Sequence, residues 1–181
     1  MQKKSIYTYA AEAGVPAGLY LTLMSACFLL SVRIPALPMF MLPLAAGFPV
    51  VLWMLLRKIC IEQPSYRKLS SLWLAGIYTV IFGTMVCLLL SGLYITFFEP
   101  GFVGLYIQNA IDVLQASPVS ADYGASIEIL KEMAEAHLLP SSMEFLLTIS
   151  WFTCFMGSVL SLVIALLMTR NSRKAIDRAS I

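Results

Sequence analysis

The sequence predicts an all-α polytopic membrane bundle of four transmembrane helices. Two amphipathic helices are expected in the extracytoplasmic loop between helices three and four. Three observations predict this. Four apolar runs, at 13–32, 36–56, 69–98 and 145–169, each reach about 20 residues, enough at ~1.5 Å per residue to cross a ~30 Å hydrocarbon core. Hydrophobic residues make up 60% of the 181 residues and charged residues only 12%, where a soluble domain is about 25% charged. Basic residues gather at one end of the runs and acidic residues at the other. One transmembrane domain over 1–181 follows, with a helical insert at about 99–141.

The first run follows Lys3 and Lys4. With Pro16 in the first turn, where its missing donor costs nothing, Glu12 stays in the headgroup zone. A helix starting nearer Ser5 would carry Glu12 inward. Leu23 to Cys27 loosely resembles a lipoprotein cleavage box, but the apolar stretch continues through Phe28, Leu29 and Leu30, so a retained span is expected. Arg33, Ile34 and Pro35 are too few for anything but a tight hairpin into the second run.

The second run carries Pro38, Pro43 and Pro49. Each proline removes a backbone bond and bends a helix, which membranes tolerate where neighbours satisfy the freed carbonyl. Such a helix can also line a transporter site. The third run is longer than a bilayer requires and must tilt or project. In the insert, Val103, Ile107, Ala110, Ile111 and Leu114 oppose Gln108, Asn109, Asp112 and Gln115. A second pattern sets Tyr123, Ile127, Leu130, Ala134 and Leu138 against Glu128, Lys131, Glu132 and Glu135. No internal repeat relates the two pairs of spans.

Orientation comes from charge. Two basic residues precede the first run, four lie between the second and third, and four follow the fourth. That is ten of the twelve Lys and Arg, with Arg33 and Lys131 opposite. The positive-inside bias places the N- and C-termini in the cytoplasm. Segment 99–144 holds seven acids against one lysine, as an exported loop does.

Helices in lipid associate through close approach of small residues. Gly14, Gly18, Thr22 and Ala26 form a four-residue repeat in the first run. Ala75, Thr79, Gly83, Cys87 and Ser91 repeat it in the third, and Thr153, Gly157, Ser161, Ala165 and Thr169 in the fourth. These faces meet either within one chain or across a homo-oligomer.

None of the four runs contains Asp, Glu, Lys, Arg or His, which argues against a proton-coupled pump or a charged ion filter. Arg33, Glu99 and Glu144 fall at the ends of spans one, three and four. They are candidates for an interhelical clamp or a polar-headgroup site. Each also has a plain explanation. Arg33 can snorkel to water, Glu99 can be solvated, and Ser141 to Glu144 reads as a capping box. Asp122, Glu128, Glu132 and Glu135 would form the rim of a partner-docking surface.

His137 is the single histidine and has no zinc-ligand spacing around it, so no metal or cofactor is expected. Ser141 near His137 lacks a nucleophile elbow, and phosphate-binding glycine loops are missing. Basic patches interleaved with aromatics are missing too, so no nucleic-acid partner is expected. The four cysteines read as packing residues. Tyr7, Tyr9, Tyr20, Trp53, Tyr66, Trp73, Tyr94, Tyr106 and Trp151 lie mostly near span ends and read as an interfacial aromatic belt.

Residues 9–20, Ser71 to Ile77 and Tyr94 to Phe102 resemble a family of small uncharacterised Bacteroidota membrane proteins, a domain-of-unknown-function family. The resemblance covers nearly the whole chain. It implies four membrane helices in a bacterial inner membrane and carries over no catalytic residue. The leading expectation is a non-enzymatic inner-membrane accessory or scaffold subunit. Its partners would be membrane lipids and another membrane protein or a second copy. The alternative is a small transporter or flippase for a lipid-linked or amphiphilic substrate, using the proline-rich second span.

Overall fold

The computed structural model describes residues 5–34, 36–62, 68–116, 124–135 and 139–179. In chain order these form α1 (Ile6–Leu30), α2 (Pro38–Glu62), α3 (Leu69–Phe98), α4 (Phe102–Ala116), α5 (Gly124–Glu135) and α6 (Ser142–Ala179). Four of them, α1, α2, α3 and α6 up to Arg170, are long and apolar enough to cross a bilayer. The protein is an all-helical, multi-pass membrane bundle.

The central helix is α3, which packs on α1 on one side and α6 on the other. Small residues make both joints. A methyl group added at Gly18 would stand 2.7 Å from Val86 Cβ and 2.8 Å from the Gly83 carbonyl, so only glycine lets the α1 and α3 backbones come this close. On the other side Gly157 of α6 sits against Val80, and Ser161 against Gly76. The intrachain joints therefore use Gly14, Gly18, Gly83, Gly157 and Ser161.

The contacts fix direction. Gly14 meets Phe82, Gly18 meets Val86 and Ser25 meets Ser91, so α1 and α3 run parallel. Ser161 meets Gly76 and Met143 approaches Gly92, so α6 runs antiparallel to them. Consequently Arg57, Lys58, Lys68 and Arg170 lie at one end of the bundle, and Arg33, Glu99 and α4 at the other.

Several hydroxyls within the spans are satisfied locally. Thr22, Thr79, Thr96 and Ser161 each donate to the carbonyl four residues earlier, at 2.7–2.8 Å. This is the economical solution where water is absent.

Helix ends differ from the sequence expectation, among them those of α2, which runs Pro38–Glu62 where 36–56 was expected. Helix α1 begins at Ile6 after Ser5, so Pro16 lies in its interior and Glu12, exposed, is in the second turn. Helix α6 runs to Ala179, well past 169. Trp151 lies nine residues into α6, ~13 Å from its start, and is 79% exposed.

Candidate functional site

The candidate site lies at the Arg33 end, where α1 and α3 finish side by side. Beyond Leu30 the chain keeps turning, with the Ser31 amide donating to Phe28 and the Arg33 and Ile34 amides to Leu30. Helix α3 stops at Glu99, whose amide donates to Ile95 at 3.1 Å. Two parallel helices ending together bring the residues just beyond them into contact. Arg33 Nε donates to Glu99 Oε1 at 2.5 Å.

Burial across the pair is unequal. The Arg33 side chain is 64% exposed and that of Glu99 is 3% exposed. Glu99 Oε2 is buried without a hydrogen-bond partner. A buried carboxyl group is costly unless paired, and Arg33 supplies its partner.

Neighbouring elements lock this end. Asn109 of α4 donates to the Val32 carbonyl at 3.1 Å, and Ser142 of α6 donates to the Pro100 carbonyl at 3.0 Å. Beneath them Phe102, fully buried, packs among Phe28, Tyr106 and Phe145. Helix α4 buries Phe102, Val103 and Ile111 and exposes Gln108, Asn109, Asp112 and Gln115, but Leu105 and Val113 are exposed as well. The division of its faces is incomplete.

Glu144 is not part of the clamp. It accepts the Ser141 amide at 2.9 Å, while its own amide donates to Ser141 Oγ at 3.2 Å. That is the reciprocal capping box, and it leaves Arg33 with Glu99 as its carboxylate partner.

Between α1 and α3, on the way to Arg33, runs a groove of about 240 Å³ lined by Thr22, Ala26 and Leu30 facing Leu90, Ser91 and Tyr94. Thr22 and Ala26 thus line open space, whereas Gly14 and Gly18 of the same stripe close on α3.

Of the insert acids, Glu128 and Glu132 are exposed on α5 and Glu135 ends that helix. Asp122 and His137 lie outside the described residues. Among the described residues no three His, Cys, Asp or Glu side chains are grouped as a metal site requires.

Helix α2 is continuous through Pro43 and Pro49. Near them the Tyr20 hydroxyl fills the space over Gly47, donates to the Leu44 carbonyl at 2.7 Å, and its ring stacks on Phe48. The neighbouring Ala45 carbonyl is the one that Pro49 leaves without a helical donor.

Sequence reasoning missed one contact, Ser25 with Ser91 at 2.8 Å. Ser25 and Ser91 are 66 residues apart, as are Arg33 and Glu99, close to the 68 of Gly14 with Phe82 and of Gly18 with Val86, as in two helices running parallel.

No curated protein and no solved structure matches this chain. A protein family does match it from residue 13 to residue 170, a range that begins in α1 and ends in α6 and so takes in every helix of the bundle. The chain belongs to that family, whose description is "Protein of unknown function (DUF4199)".

Proposed function

We propose that the protein is a non-enzymatic subunit of a bacterial inner membrane that acts by binding another membrane component. Both termini would lie in the cytoplasm, following the positive-inside bias, and α4 and α5 outside.

The observation that carries the docking surface is α5. It packs on α4, and its exposed side chains include Ile129 and Met133 beside Glu128, Lys131 and Glu132. Exposed apolar residues rimmed by charge are what a protein interface uses. The lack of ionisable side chains in the four apolar runs supports a binding role over a catalytic one.

A transporter built on α2 has weaker support. The space beside its prolines is filled by Tyr20, and α2 is the outlying span, with 11% of its apolar window buried against 33% for α3.

The test is affinity purification in mild detergent from the native membrane, comparing the natural chain with one in which Asp122, Glu128, Glu132 and Glu135 become Asn or Gln. The expected result is loss of a stoichiometric membrane partner with unchanged thermal stability. Retention of that partner by the neutralised chain would remove the insert from contention.

A further inference from the structure

Thr22, Ala26 and Leu30 follow at intervals of four, the repeat of a single helix face, and Arg33 lies three residues past the helix end, its amide donating to the Leu30 carbonyl. The first three line the groove between α1 and α3, and Arg33 stands where that stripe leaves the helix. From Thr22 to Leu30 the helical rise is about 12 Å, and with the turn that follows the stripe spans roughly one leaflet of a ~30 Å hydrocarbon core.

The groove wall is mostly apolar. The Thr22 hydroxyl donates to the Gly18 carbonyl at 2.7 Å, and the Ser25 and Ser91 hydroxyls bind each other at 2.8 Å. With these two hydroxyls satisfied and Ala26, Leu29, Leu30 and Leu90 supplying most of the lining, the groove accepts hydrocarbon at little cost. At the mouth the chemistry changes. Glu99 engages Nε of Arg33 from the buried side, and the guanidinium carries four further N–H donors on a side chain that is 64% exposed.

We propose that this stripe binds a phospholipid with an anionic headgroup, its phosphate on Arg33 and one acyl chain along the groove. Glu99 acts as a positioning residue. It holds the guanidinium at the mouth, so the planar fork meets a phosphate already oriented. The Arg33 and Glu99 pair has no net charge. Selection therefore comes from short, charge-assisted hydrogen bonds to the exposed edge of the fork and not from a long-range field. This site is separate from the α5 surface, and its failure would leave the docking proposal standing.

The test is a native mass-spectrometry titration of the full chain in a non-ionic detergent, with phosphatidylglycerol and with diacylglycerol of the same acyl chains. Phosphatidylglycerol is expected to bind at least about tenfold more tightly. Ala26→Phe fills the groove without touching Arg33 and is expected to weaken phosphatidylglycerol binding about tenfold. The double change R33Q/E99Q removes both charges together, leaving no buried carboxylate alone, and is expected to abolish the preference between the two lipids. Equal binding of the two lipids by the natural chain would overturn the proposal, and that comparison needs no variant to fold. So would unchanged phosphatidylglycerol binding by a folded Ala26→Phe chain.

Discussion

At the scale of single residues, Arg33 and Glu99 make unequal contributions because only one of them is buried. Removing Arg33 leaves a buried carboxyl group without its partner, whereas removing the charge of Glu99 leaves an arginine that reaches solvent. Arg33→Gln should therefore cost about 3 kcal/mol and Glu99→Gln about 1 kcal/mol, with R33Q/E99Q milder than R33Q alone. Thermal unfolding of the three variants in one detergent checks the order. Thr84 is the opposite case, since its hydroxyl is buried without a partner. Thr84→Val keeps the shape and should raise stability by about 1 kcal/mol in the same assay. The positions of Arg33 and Glu99 at span ends were legible in the sequence, because both are polar residues at the edge of apolar runs. Which carboxylate Arg33 would choose was not. That depended on Glu144 being taken by the Ser141 cap.

At the scale of elements, the helix joints rest on close backbone approach. Gly18→Ala places a methyl 2.8 Å from the Gly83 carbonyl, which cannot yield without moving α3. It should destabilise the bundle by about 1–3 kcal/mol. Gly104→Ala within α4 meets nothing within 4 Å and should stabilise by about 0.5–1 kcal/mol, since alanine restricts the unfolded chain and suits a helix. Differential scanning fluorimetry of the two variants would separate packing from propensity. The third span was read to its exact limits, Leu69–Phe98, because apolar residues fill it from end to end. The start of α1 was missed because Pro16 resembles a first-turn residue, whereas the helix accommodates it in its interior. The polar end of α6 was missed for the related reason that a helix can continue after its apolar face stops.

At the scale of the whole molecule, both the start of α1 and the end of α6 lie at the end of the bundle that carries Arg57, Lys58 and Lys68. A phosphatase or fluorescent reporter fused after Ile181 should report the cytoplasm, and one inserted between α4 and α5 the opposite side. Reversal of that pattern would invalidate the assigned orientation while leaving the fold intact. The number of spans was legible from hydropathy. The neighbour of each span was not, because small-residue stripes mark faces without naming what they touch.

The preference of α1 for α3 over its chain neighbour α2 bears on biogenesis. As the nascent protein emerges, the first hairpin enters the bilayer with its glycine ridge still facing lipid or the insertion machinery. Only when α3 arrives can that ridge be covered. A chain released by the ribosome after Glu62 should therefore be a ready substrate for membrane quality-control proteases, and one released after Phe98 should persist longer.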